Sequence, residues 1–129
     1  MTTRTNIPGG SPREPILGYS RAVKIGDQVL VSGTTSGGVG DTAEEQTREI
    51  FNRIEKALAK AGASLSDVVR TTVYLTNIDR DFDEVGAVHG ELFGDVLPTN
   101  TVVGSSALAS PELLVEISVD AVIGLTTES

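Results

Sequence analysis

The 129-residue chain has no cysteine and no tryptophan, and a single histidine. Without thiols it can form no disulfide, thiolate nucleophile, zinc knuckle or iron–sulfur ligand set, and one imidazole cannot build a transition-metal site of the usual nitrogen–sulfur type. No metal is expected. Aromatic residues are scarce, with three Phe and two Tyr, so Val, Ile, Leu and Ala must fill the core. Basic residues are few as well. Ten Lys and Arg against eighteen Asp and Glu leave a net charge of −8, which repels a phosphate backbone instead of releasing its counterions, so no nucleic-acid partner is expected. No apolar run approaches the length that spans a membrane, and the opening Met1-Thr-Thr-Arg-Thr-Asn-Ile-Pro8 lacks the apolar centre of a signal peptide. The expectation is a cytoplasmic protein with no membrane partner, forming one domain over residues 1–129.

The pattern of what is present predicts an α+β fold. Pro8, Gly9, Gly10, Pro12 and Pro15 punctuate residues 1–17, which should be extended, not helical. Alternating runs over Tyr19–Ile25 and Gln28–Gly33 flank Gly26-Asp27, a hairpin turn signal. Thr42 stands three residues before Glu45, the spacing of a capping box, and Ile50, Phe51, Ile54, Ala57, Leu58 and Ala61 follow at helical spacing as far as Gly62. The Glu44/Arg48 and Glu49/Arg53 pairs fall at i,i+4. The β-branched run Val68–Thr76 reads as a strand, Asp81–Phe93 as a second helix with Phe82, Val85, Val88 and Leu92 on one face, and Thr99–Ser106 and Leu113–Ile123 as further strands. Both helices should lie on one face of a mixed sheet.

Few residues could carry chemistry. In the last strand Val115, Ile117, Val119, Ala121 and Ile123 alternate with Glu116, Ser118 and Asp120, which puts two carboxylates on the polar face. That face is either solvated or the wall of a pocket in which Glu116, partly desolvated, orients or deprotonates a water. The Gly/Ser/Thr-rich stretch Ser32–Gly40 has neither the Gly-Lys-Ser/Thr ending of a P-loop nor a G-x-G-x-x-G register. Asp79-Arg-Asp-Phe-Asp83 starts like a calcium loop, but Glu84 and Gly90 stand where that loop needs Gly and Glu. Acids favoured by the helix dipole explain it more simply. His89 lies beside an apolar stripe, a place for packing more than catalysis, and no G-x-S-x-G elbow surrounds Ser32, Ser105 or Ser106.

Four segments in order, Gly18-Tyr-Ser-Arg-Ala-Val-Lys-Ile-Gly-Asp-Gln-Val-Leu-Val-Ser-Gly33, Asp67-Val-Val-Arg-Thr-Thr-Val-Tyr-Leu-Thr76, Leu97-Pro98 and Leu113-Leu-Val-Glu-Ile117, resemble the Rid family of reactive intermediate deaminases, also called YjgF or L-PSP. The resemblance runs from about residue 18 to 123. It implies a chorismate-mutase-like fold, a homotrimer whose sheets pack into a central barrel, and a small-molecule pocket at each subunit interface. It also implies hydrolysis of imines and enamines such as 2-aminoacrylate to a keto acid and ammonia, with no cofactor. By motif, Tyr19 matches the pocket tyrosine, Ser32 and Gly33 the Ser-Gly that ends the second strand, and Glu116 the glutamate that positions water. Asn100 stands where deaminating members carry the arginine that grips a substrate carboxylate. A guanidinium clamp contributes about 1.5–3 kcal/mol per charged hydrogen bond, and an amide offers only neutral donors.

Gly86 and Val102 depart from the family pattern too, so the expected substrate is not the usual 2-aminoacrylate. Arg21, on the strand face of Tyr19, is either a surface arginine or a substitute anion clamp. Three functions fit: an imine or enamine hydrolase using Glu116, with Tyr19 and Asn100 orienting the substrate; a non-catalytic ligand-binding or regulatory trimer; or another enzyme, such as a tautomerase, on the same scaffold.

Overall fold

In the computed structural model, which describes residues 2–128, the elements run β1 (Arg4–Ile7), α1 (Arg13–Leu17), β2 (Ala22–Ile25), β3 (Gln28–Thr34), α2 (Ala43–Lys60), β4 (Val68–Leu75), α3 (Ile78–Phe93), β5 (Thr99–Gly104) and β6 (Val115–Val122). Met1 of the expected extended segment and Ser129 of the expected domain lie outside the described residues. The six strands form one sheet in the order β1-β2-β3-β6-β4-β5. All neighbours are antiparallel except β4 and β5, which α3 joins as a parallel pair. The fold is thus α+β with a mixed sheet, as the alternation of patterns predicts.

Gly26-Asp27 closes the β2–β3 hairpin, with Ile25 opposite Gln28 and Ala22 opposite Val31. Gly26 sits at φ +58°, which a side chain would oppose. In β6, Val115, Ile117, Val119 and Ala121 are buried while Glu116, Ser118, Asp120 and Val122 are only partly covered. Each buried Val or Ile contributes roughly 1.5–3 kcal/mol, so a one-residue slip that exposed all four is disfavoured strongly enough to fix the register. That register decides which way Glu116 faces.

Helices α2 and α3 lie side by side over the buried face. Phe51 and Phe93 meet edge to face at 5.3 Å, and Arg48 pairs with Glu91 at 2.7 Å on the rim. The exposed ion pair is screened by solvent and contributes little, so apolar burial and aromatic contact carry this packing. Thr42 caps α2 by accepting from the Glu45 N–H at 3.1 Å, while the Glu45 carboxylate reaches the Asp41 N–H. The Glu44–Arg48 and Glu49–Arg53 pairs form as spaced.

Three expectations need correction. Residues 1–17 are not extended throughout: Arg4–Ile7 is a strand, but Arg13–Leu17 is a short helix. Pro12 and Pro15 flank or enter only its first turn, where an N–H has no helical partner to lose. Helix α3 begins at Ile78, three residues before Asp81, because Asn77 caps it by accepting from the Arg80 N–H. Phe82 leaves the buried stripe and is half exposed, whereas Asp81 is buried with its carboxylate on Arg80 at 2.8 Å.

Candidate functional site

A cavity of about 790 Å³ opens where β3 leaves the sheet. Its walls are residues 8–17, the link through Tyr19 and Arg21 into β2, the end of β3, one flank of α2, the 109–113 segment and Glu116 of β6. Buried Gln46 ties two of these walls together. Its Nε2 donates to the carbonyls of Gly40 and Glu112 at 3.2 and 3.0 Å, and its Oε1 accepts the Leu114 N–H at 2.9 Å. The start of β6, and so Glu116, is anchored to α2 by this amide.

Gly33 is where the backbone must be bare. A Cβ there would lie 3.0 Å from Cδ of Glu116 and closer still to its Oε2, so the carboxylate rests directly on the strand. The two carboxylates of the polar β6 face meet different fates. Asp120 is paired with Arg70, whose Nε donates at 2.7 Å, and among the described residues no ion pair engages Glu116. A half-buried, uncommitted carboxylate beside bare backbone can accept a proton from, or orient, a small molecule in the cavity.

The three other carboxylates on the walls are already committed. Glu14 is buried and accepts the N–H groups of Gly9 at 3.0 Å and Ser11 at 2.9 Å, which hold its carboxyl below the usual range. Arg53 donates to Glu49 at 2.7 Å and lowers that carboxyl likewise. Glu112 accepts from Ser110 at 2.8 Å. Arg21 lines the same cavity, with Nη1 donating to the Gly33 carbonyl and to Thr34 Oγ1, both at 2.9 Å. Its Cζ stands 5.7 Å from the Tyr19 ring centroid, within cation–π reach.

Tyr19, Gly33 and Glu116 therefore meet at one cavity. Tyr19 does so from the link before β2, not from a strand, since β2 starts at Ala22. Ser32 borders a shallower neighbouring depression, and its hydroxyl donates to the Ser20 carbonyl at 2.7 Å, which holds the chain just ahead of Gly33. Asn100 lies elsewhere. It is on β5, opposite Thr71, and its Oδ1 accepts from Thr71 Oγ1 at 3.0 Å. Thr71 Oγ1 also contacts His89 Nε2 at 2.8 Å, and His89 stacks near Phe93, so burial lowers its pKa. His89 thus packs against Phe51 and Phe93 and does not line the cavity.

Sequence reasoning missed the α2 wall. Glu49, Arg53, Lys56 and Lys60 recur at helical spacing on one flank, a stripe legible in the sequence once α2 is placed. Glu14 and Gln46 gave no signal beyond residue type, because only the fold reveals their burial. Among the described residues, no group of three or more His, Cys, Asp or Glu side chains could hold a metal ion, and no helix is long and apolar enough to cross a membrane.

Comparison with known proteins adds three kinds of relative. The sequence model of the family described as Endoribonuclease L-PSP matches residues 11–123. An uncharacterised protein of Streptomyces coelicolor is 38% identical over 124 residues, 92% of this chain and 91% of its own. The crystal structure of a member of the YjgF/YER057c/UK114 family from Mycobacterium tuberculosis is similar with a TM-score of 0.89 and 50% identity, covering 94% of this chain and 100% of that one. A Dermatophagoides farinae protein named 2-iminobutanoate/2-iminopropanoate deaminase is 29% identical over 101 residues, 74% of this chain and 78% of its own.

Proposed function

The chain belongs to the Rid family, also called YjgF or L-PSP, and on that premise we propose that it hydrolyses reactive imines or enamines at the Glu116 cavity without a cofactor. The observation that carries this reading is the uncommitted Glu116 carboxylate laid on Gly33 inside the cavity. The distant relative named an imine deaminase supports the reaction class.

In the proposed step, a water between Glu116 and the imine carbon gives a proton to the carboxylate as its oxygen bonds to that carbon and the C=N pair moves to nitrogen. Glu116 then returns the proton to the amine. The hydroxyl proton then passes by way of Glu116 to the amine nitrogen as the C–N bond breaks, so that ammonia leaves and the carbonyl forms. Tyr19 orients the substrate from the facing wall. Gly33 supplies close backbone approach, and Ser32 serves by fixing the chain that presents it.

Asn100 stands outside the cavity of its own chain, so a substrate contact from it requires a second copy. A homotrimer built as a chorismate-mutase-like barrel provides one. Support for it comes from the open sheet face, where Leu30, Val69 and Val103 are exposed beside the groove lined by Gln28, Arg70 and Asp120. In this reading the amide of Asn100 offers only neutral donors and holds a substrate carboxylate less tightly than an arginine in its place would.

The test is Asn100→Arg assayed for ammonia release from 2-aminoacrylate. The variant is expected to outpace the wild-type protein by about tenfold or more, since a charged bidentate donor replaces a neutral one. If neither protein accelerates hydrolysis of this or any neutral imine, the ligand-binding trimer without turnover becomes the better reading.

A further inference from the structure

The cavity departs from the charge balance of the whole chain. Five of the ten Lys and Arg residues line it, Arg13, Arg21, Arg53, Lys56 and Lys60, but only four of the eighteen Asp and Glu. Three of those four acids are committed: Glu14 to backbone N–H groups, Glu49 to Arg53 and Glu112 to Ser110. A protein of net charge −8 thus holds its locally positive region around a small cavity. Such a field draws in a compact anion, while the acidic remainder repels a polyanion.

Arg21 has its head group fixed by neutral acceptors and forms no ion pair among the described residues, although its charge is felt by the Glu14 carboxylate nearby. Its Nη1 is anchored on the Gly33 carbonyl and Thr34 Oγ1 at 2.9 Å each, with the Ser32 carbonyl at 3.5 Å. Among the described residues the only hydrogen bond from its other edge is Nη2 to Tyr19 Oη at 3.5 Å, at the limit of such a bond. Among the described residues no carboxylate pairs with it, in contrast to Arg48, Arg53, Arg70 and Arg80. The Nε–Nη2 edge, the parallel pair of donors that grips a carboxylate bidentately, is therefore open. Lys56 and Lys60 are exposed on flexible stems and lack such preorganisation.

Gly33 also sets the spacing. The guanidinium sits on its carbonyl and the Glu116 carboxylate lies against its α-carbon, yet the two charges do not form an ion pair. We infer that Arg21 is a specificity-determining residue that binds an anionic group on the substrate through its Nε–Nη2 edge, and so aims the neighbouring reactive carbon at Glu116. This rests on reading the cavity as the imine site, but binding can be measured without turnover.

The experiment titrates the protein by NMR with 2-oxobutanoate, a stable product-shaped anion, and with its neutral counterpart 2-oxobutanamide. The wild-type protein is expected to prefer the anion, Arg21→Gln to lose that preference by on the order of tenfold to a hundredfold, and Arg21→Lys, which restores the charge but not the fork, to recover part of it. Glu116→Ala should keep the preference, which separates the anion site from the hydrolytic chemistry. A wild-type protein that binds neither ligand or shows no preference overturns the inference, as does an Arg21→Gln variant with the wild-type preference. Should Arg21→Gln fail to fold, Arg21→Lys decides alone: an undiminished preference overturns the inference, and a partial loss supports it.

Discussion

Glu116 and Asp120 occupy the same face of β6 four residues apart, and their neighbours separate them. Arg70 on β4 pairs with Asp120, and Gly33 on β3 leaves room for Glu116, which forms no ion pair among the described residues. A β-carbon at residue 33 would collide with the end of a flexible carboxylate and not with fixed backbone, so the carboxylate should move and the sheet should hold. Gly33→Ala is expected to lower imine hydrolysis by about tenfold to a hundredfold, as a displacement near 1 Å does at a reacting centre, with little change in the urea midpoint. A large stability loss with activity per folded molecule retained would place the importance of Gly33 in the sheet instead. At this scale the sequence was legible only in part. Period-two alternation marked both acids, but alternation carries no information about Arg70 or Gly33, which reach the strand from neighbours decided by topology.

Among the elements, α1 is the one composition concealed. Prolines argue against a helix, and Pro12 and Pro15 do so in general, but at the first turn they delete N–H groups that no helix would use. Glu14 then joins the element to the cavity wall by accepting the N–H groups of Gly9 and Ser11. Its folded pKa lies below the ordinary 4.5, so the unfolded chain binds a proton more readily. The stability it contributes is complete above that ordinary value and is lost as the pH falls through the lower folded one. Urea unfolding at about pH 7 and about pH 3 should show this loss in the wild-type protein, and a shallower pH dependence in Glu14→Gln, whose amide does not titrate. An equal slope in both proteins would assign the acid sensitivity to other carboxylates. The longer elements were readable because their apolar periods agree with their caps. Thr42 starts α2 where its spacing to Glu45 indicates, whereas the start of α3 was hidden because Asn77 precedes a run of acids that looked like a better beginning.

For the whole molecule, the open sheet face and the position of Asn100 point the same way. The sequence pattern gave the mixed sheet with its helices on one face, but a strand pattern cannot tell a face bathed in water from one awaiting another subunit. Exposed Leu30, Val69 and Val103 share that face with Arg70 and Asp120, and Asn100 lies outside the cavity of its own chain, so the proposed contact of Asn100 with substrate needs a second copy. Sedimentation of the purified protein is expected to give the mass of a trimer, and a monomer at the concentrations where it is active would remove Asn100 from the site. The acidic surface belongs to this scale too: a net charge of −8 repels a phosphate backbone.

The central claim is that Glu116 turns an imine-binding cavity into a hydrolytic one. It is tested most directly by ammonia release from freshly generated imines, carboxylate-bearing and neutral, with the wild-type protein, with Glu116→Gln and with no protein. The expected result is acceleration by the wild-type protein that falls by about a hundredfold or more in Glu116→Gln, the usual range for loss of a general acid–base group. Equal rates in the two proteins, or no acceleration by either, would contradict it.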